Sequence, residues 1–311
     1  MRRQLAALLI VPALLLTAAC GSDSKGSSDS ASGGVPKITA GTKFGEKPTV
    51  AKGTGSKPTK LVTATPIQGN GATVKKGDFI KANYLGQIWG TAKVFDNSYD
   101  QKKPITTAIG TGSVIKGWDQ ALVGKKAGSR VEMVIPPSLG YGSQAAGTIP
   151  ANSTLVFVVD IISTTTVPTT VTGGTVVPQT DANLPKVGVN TDGKAPSVTV
   201  PTSKPAPTKL VSNYVIEGNG PTLKGTDTVV VQYNGVLWKT GKQFQSSWAT
   251  SPTSLTLDQV IKGWSQGLTG KKVGSRLLLV IPPSLGYGST AQSSIPANST
   301  LVFSVDILAV V

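Results

Sequence analysis

The sequence predicts an α+β protein built twice, as two tandem domains, each an antiparallel sheet with one short helix bracketed by its strands. Three observations carry this. The stretch V-I-K-G-W-D-Q-A-L-V-G-K-K at Val114–Lys126 returns as V-I-K-G-W-S-Q-G-L-T-G-K-K at Val260–Lys272, and each copy continues into V-I-P-P-S-L-G-Y-G and I-P-A-N-S-T-L-V-F. One spacing separates Trp118 from Trp264 and Ile149 from Ile295. A repeat of that length is a duplicated globular domain and not a solenoid unit. Second, Val114, Ile115, Trp118 and Leu122 fall on one face of a short helix, which Gly124 ends, as does Gly270 in the second copy. Third, Val131, Met133 and Ile135 alternate with Arg130 and Glu132, the signature of a strand with one face in the core.

Taken in order, Met1-Arg2-Arg3 and the apolar run Leu5–Leu16 form a charged and then a hydrophobic segment too short to span a bilayer. Thr17-Ala18-Ala19-Cys20 follows, and small residues before a lone cysteine resemble a bacterial lipobox. Residues 1–20 are therefore expected to be a lipoprotein signal peptide, with Cys20 lipidated and the chain held on the outer face of the cytoplasmic membrane. Residues 21–59 are rich in Gly, Ser, Thr, Lys and Pro and read as a disordered tether. The first domain is expected over 60–162 and the second over 208–311. Between them, 163–207 is Thr-, Val- and Pro-rich and reads as a stiff linker with too little patterned apolar surface to fasten the domains together.

Within each domain, Gly69-Asn70-Gly71 and Gly218-Asn219-Gly220 mark matching turns. Strands are expected at Phe79–Gly86 and Thr228–Gly235, each with a tyrosine, Tyr84 or Tyr233, near its end. Pro136-Pro137 close the strand that begins at Arg130, because proline donates nothing to a ladder. The glycine-flanked Tyr141 and Tyr287 sit in loops, and Leu155, Phe157, Val159 and Ile161 line one face of a closing strand. Aromatic residues on the helix and loops thus face one space, which makes a concave apolar pocket.

Composition narrows the chemistry. The formal charge is +15, but the 30 basic residues are dispersed without a run of five or six, so nucleic acid is not expected as a partner. The 311 residues contain no histidine and one cysteine. That removes Ser-His and Cys-His nucleophiles and most zinc sites, so no metal or cofactor is expected. Ser113-x-x-Lys116 and Lys239-Thr240-Gly241 match fragments of penicillin-binding enzymes, but they lie in different repeats with no S-D-N between them. The sequons at Asn152 and Asn298 lead straight into an apolar strand and read as chance.

The fragments N-Y-L-G, V-F-D-N-S, V-I-K-G-W, L-G-Y-G, I-P and L-V-F, in that order, resemble the FKBP-type peptidyl-prolyl cis–trans isomerases over about one hundred residues of each repeat. The resemblance implies a twisted antiparallel sheet wrapped round a short helix. It also implies isomerisation of X-Pro bonds in unfolded or exported polypeptides, and binding of the macrolide inhibitors of that family. The first-domain site it implies is Tyr84, Phe95, Asp96, Val114, Ile115, Trp118, Tyr141, Ile149 and Phe157. Trp118 would form the floor, the Ile115 N–H would receive a ligand carbonyl, and Tyr141 would offer its hydroxyl. The second-domain counterparts are Tyr233, Phe244, Val260, Ile261, Trp264, Tyr287, Ile295 and Phe303. There Gln245 stands where the family has Asp, and the stretch from Phe244 to Val260 is shortened. In the first domain Gln101 occupies a position where a rim arginine is common. A surface chaperone using the same domains without turnover is the alternative.

Overall fold

The structure is a computed structural model, and it describes residues 34–311. Cys20 and the tether up to residue 33 lie outside the described residues. In the first repeat the elements are β1 (Ile38–Ala40), β2 (Thr49–Val50), β3 (Val62–Ile67), β4 (Phe79–Ile88), β5 (Val94–Asn97), β6 (Ile105–Ala108), α1 (Lys116–Leu122), β7 (Arg130–Ile135) and β8 (Leu155–Thr165). The second repeat continues with β9 (Thr175–Val176), β10 (Lys186–Val187), β11 (Val198–Thr199), β12 (Val211–Glu217), β13 (Thr228–Leu237), β14 (Gln243–Ser246), β15 (Thr253–Thr256), α2 (Lys262–Leu268), β16 (Arg276–Ile281) and β17 (Leu301–Val310). All pairings are antiparallel, in the orders β3-β7-β8-β4-β5 and β14-β13-β17-β16-β12-β9. β6 lies beside β4, and β15 beside β13. Among the described residues no helix is long and apolar enough to cross a membrane.

Each helix sits on the inner face of its sheet. Trp118, Ala121 and Leu122 meet Val131, Met133, Ile135, Leu155, Phe157, Val159 and Ile161, the alternating residues of β7 and β8. Trp264 and Leu268 meet Leu277, Leu279, Ile281, Leu301, Phe303, Val305 and Ile307 in the same way. Gly117 lets α1 approach this closely, since a Cβ there would come within 2.6 Å of Ile135. Gly124 takes φ +85° just beyond the helix, the left-handed geometry that ends it.

The structure corrects three expectations. Val114 and Ile115 precede α1, because Ile115 is extended (φ −59°, ψ 145°) and serves as the N-cap. The strands carrying Tyr84 and Tyr233 run two residues further than Gly86 and Gly235, so both tyrosines lie mid-strand. The third correction is larger. β7 is buried at all six positions, and so is β16. The strands are not half-exposed, because a collar covers the outer face of each sheet.

The first collar is residues 34–59, the described part of the segment read as a disordered tether. Val35, Ile38 and Val50 pack against Leu85, Trp89, Val134, Val156 and Val158. The second collar comes from the segment read as a free linker: Val171, Val187, Val198 and Val200 pack against Val236, Trp238, Leu278, Val280 and Val302. Ser163, Thr164 and Thr165 belong to β8, so the first repeat also extends beyond residue 162. Composition hid the collars because few of their residues are apolar and the backbone does much of the holding.

That holding centres on a buried ion pair in each repeat. Arg130 Nε and Nη2 donate to Asp160 Oδ1 and Oδ2 at 2.6 and 2.7 Å, and both side chains are fully buried. The remaining guanidinium donors reach Gly41 O and Glu46 O of the collar, while Asp160 accepts Gly45 N at 2.7 Å and the Tyr99 hydroxyl at 3.1 Å. Arg276 and Asp306 repeat this, with Gly188 O and Asn190 O as acceptors and Thr170 beside the carboxylate. A buried pair is tolerable only when its leftover donors and acceptors are satisfied, and the collars supply those partners.

Candidate functional site

The first-repeat cavity lies where the inner sheet face, the segment before α1 and the loop after β7 converge. Its volume is about 470 Å³. Tyr84 comes from β4, Phe95 and Asp96 from β5, Trp118 from α1, Phe157 from β8 and Tyr141 from the loop that follows the short 3₁₀ turn Pro137–Leu139. With Val114 and Ile115 these are eight of the nine residues expected from the sequence. Ile149 is not on the cavity wall. It is buried in the core, where its N–H donates to Ala146 O at 2.9 Å.

The aromatic rings interlock edge to face. Trp118 meets Tyr84 at 5.6 Å and Phe157 at 5.4 Å between centroids, and Phe157 meets Phe95 at 5.6 Å. Such contacts fix ring orientation beyond what burial alone provides. Gly86 makes room for them, since a Cβ there would stand 2.7 Å from ring carbons of both Phe157 and Phe95. Trp118 is 4% exposed, and its indole N–H has no partner among the described residues. It lines the cavity from α1.

The polar groups stand at the rim. The Tyr84 hydroxyl donates to Asp96 Oδ2 at 2.5 Å. Burial, and then this bond to a carboxylate, push the phenol pKa upward, so Tyr84 stays protonated at any working pH. Tyr141 is 41% exposed, with its side chain in a glycine-flanked loop. The Ile115 carbonyl accepts Trp118 N at 2.9 Å, whereas no acceptor among the described residues takes the Ile115 N–H. That leaves the Ile115 N–H, like those of the neighbouring Ser113 and Val114, without an acceptor among the described residues that line the cavity.

Three positions were missed from the sequence. Ile105 and Ser113 complete the cavity wall. Asp119, on the far side of α1, accepts Gly110 N at 2.6 Å and Gly112 N at 2.9 Å, and so ties down the loop that leads to Val114. The second repeat has Ser265 there and, between β15 and Val260, a loop two residues shorter. A lost anchor accompanied by a shortened loop was a readable signal.

The second repeat keeps the aromatic frame. Trp264 meets Tyr233 at 5.4 Å and Phe303 at 5.2 Å, and Phe303 meets Phe244 at 5.5 Å. Val260 and Ile261 pack beside them, Ile295 is buried like Ile149, and Tyr287 is 39% exposed. Gln245 takes the β14 position opposite Gly235 that Asp96 takes opposite Gly86. Among the described residues the Tyr233 hydroxyl has no side-chain partner corresponding to Asp96.

Comparison with known proteins places this geometry. The family model for FKBP-type peptidyl-prolyl cis-trans isomerase matches residues 71–162 and 220–308. Rat peptidyl-prolyl cis-trans isomerase FKBP9 is 29% identical over 242 residues, covering 76% of this chain and 35% of that protein. The FKBP-type isomerase FkpA of Escherichia coli K12 is 47% identical over 106 residues, or 34% of this chain and 39% of FkpA. The chain therefore spans about a third of the length of the curated relatives it matches. Among solved structures, the three FKBP domains of wheat FKBP73 align with 81% of this chain and 94% of that one, at 22% identity and a TM-score of 0.32.

Proposed function

The chain belongs to the FKBP-type peptidyl-prolyl cis–trans isomerase family, and from that premise we propose that it catalyses cis–trans isomerisation of X-Pro bonds, chiefly in its first repeat. The observation that carries the reading is an aromatic cavity lined by Ile115, whose N–H has no acceptor among the described residues. Rotation about the planar amide meets a barrier of about 18–20 kcal/mol because conjugation is lost at the midpoint. A proline ring on Trp118 leaves water behind. The apolar wall then disfavours the charge-separated planar amide relative to the twisted one. A donor such as the Ile115 N–H or the Tyr141 hydroxyl holds the carbonyl while the bond turns. The Tyr84–Asp96 bond fixes the wall against which that rotation takes place. No step calls for a nucleophile, a base or a metal.

The expected substrates are proline-bearing unfolded or exported polypeptides, and family macrolides are expected to compete for the cavity. The site is proposed to work outside the cytoplasmic membrane, held there by lipid on Cys20. The motif Thr17-Ala18-Ala19-Cys20 supports that placement. A protease-coupled assay on the full chain tests the activity. Acceleration of a proline tetrapeptide that falls about tenfold in Trp118→Ala is the expected result, and wild-type protein without acceleration overturns it in favour of a binding role. Cys20→Ser tests the anchor: it should release the protein to the medium or leave it unprocessed, and unchanged membrane fractionation sinks that part.

A further inference from the structure

We infer that the seam between the two repeats is an extended substrate subsite, which holds the stretch of polypeptide flanking the proline by adding it as a strand to the free edge of β15. The inference rests on the isomerase reading of the first-repeat cavity and names what that site would take beyond the proline itself.

Both repeats fall in one compact unit, and they meet through β6 and β15, which occupy the same place in each. Ser254 Oγ, on the second residue of β15, donates to Thr106 O, on the second residue of β6, at 3.2 Å. Lys103 Nζ donates to Gln259 Oε1 at 2.9 Å. Phe79 and Ala108 of the first repeat pack with Val230 of the second. These contacts set the two strands on either side of a groove of about 400 Å³.

Three features of the groove point to a polypeptide occupant. β6 pairs only with β4, and β15 only with β13, so among the described residues each has one edge with no strand partner. Thr107 and Ala108 of β6 line the groove as buried residues, whereas Thr253 of β15 is exposed and Ser254 half-buried, so the accessible unpaired edge that borders it is that of β15. An unpaired edge is a template for an incoming extended chain. The lining carries no charged side chain and is dominated by Ser and Thr hydroxyls, which suits backbone recognition that tolerates many sequences. Finally, Ser113 lines this groove and the catalytic cavity alike, so the two spaces adjoin at that residue. A chain with its proline on Trp118 can pass Ser113 and lie along the seam. In a tandem protein, the second repeat then serves the first as a wall of its substrate site.

The test uses the full chain and four peptides: a proline tetrapeptide, the same peptide lengthened by several uncharged residues on its amino or its carboxyl side, and the better lengthened form N-methylated along the extension. Thr253→Arg fills the groove from an exposed position outside the catalytic cavity. One lengthened peptide should exceed the tetrapeptide in kcat/KM by about tenfold, the worth of one or two net hydrogen bonds. Both N-methylation and Thr253→Arg should abolish that gain while leaving the tetrapeptide rate unchanged. Equal rates for all unmethylated peptides, or a gain that survives Thr253→Arg, overturn the inference. Anisotropy of the labelled peptides separates it from the catalytic reading. If no peptide is isomerised, that reading fails, yet tighter binding of a lengthened peptide that is lost in Thr253→Arg still supports the groove.

Discussion

Asp96 accepts the hydroxyl of Tyr84, whereas Gln245 leaves Tyr233 without an equivalent partner, and that difference ranks the two sites. A charge-assisted bond is roughly twice as strong as a neutral one and holds its ring more firmly. Asp96→Asn should therefore lower kcat/KM of the first repeat by about tenfold, corresponding to about 1–2 kcal/mol. Gln245→Asp should raise any activity of the second. The comparison is made in the full chain, with the other repeat silenced at its tryptophan. A second repeat that equals the first, with neither substitution altering a rate, would defeat the ranking. Glu132 carries a different consequence. It was read as the solvent side of a half-exposed strand, but it is 4% exposed, and its Oε1 has no partner among the described residues. Burial pushes its pKa up to about 7 from the ordinary 4.5. Below pH 4.5 the carboxyl is neutral whether the chain is folded or not. As the pH rises from there to 7 the unfolded chain ionises first, so stability falls across that window and is level above it. Leu278 fills the same register in the second repeat. Glu132→Leu should therefore stabilise the protein by about 3 kcal/mol more at pH 8 than at pH 4. Denaturant melts at the two pH values read this directly, and an equal effect at both removes the ionisation argument.

At the scale of elements, the sequence disclosed whatever one side of a strand or helix could announce by itself. The inner residues of β7 and β8, the helix with Trp118, and the glycine beyond it were all legible because each rests on a local period or a backbone requirement. The collars were not legible from composition. Their apolar residues are scattered among Gly, Ser, Thr, Lys and Pro, and carbonyls such as Gly41 O and Glu46 O, which any sequence provides, take the arginine donors. A signal did exist elsewhere. Asp160 interrupts an apolar strand and Arg130 opens the strand paired with it, and Asp306 and Arg276 stand at the same places in the second repeat. A charge kept in place inside two apolar strands asks for a buried partner. The collar consequently belongs to the fold. A chain starting at Lys60 exposes Val134, Val156 and Val158 and strips Arg130 of two acceptors. That truncation should cost at least about 3 kcal/mol and lower the melting temperature of the first repeat by about 10–20 °C relative to a chain starting at Gly34. Coincident melts would reduce the collar to decoration.

At the scale of the whole molecule, the question is how far two repeats in contact behave as one. Each has a core of its own around Trp118 or Trp264, and each outer face is closed by its own collar. By contrast, the apolar seam has three buried residues, Phe79, Ala108 and Val230, with Val167, Ala309 and Val311 beside them. Among the described residues its polar bonds are the two that join Ser254 to Thr106 and Lys103 to Gln259. Burying side chains of this kind contributes about 1.5–3 kcal/mol each, and the exposed lysine bond adds little, so the seam falls well short of what either core supplies. The repeats should therefore unfold separately while the seam only raises the earlier transition. Calorimetry of the full chain at pH 8 is expected to resolve two transitions, and Glu132→Leu to move one of them. Phe79→Ser should weaken the seam, but it also strips an apolar side chain from β4. Val230→Ser, which attacks the seam from the other repeat, therefore serves as its control. Each should lower its own repeat's transition by more than its neighbour's. A single transition that all three substitutions shift together would mean that the seam locks the repeats into one cooperative unit.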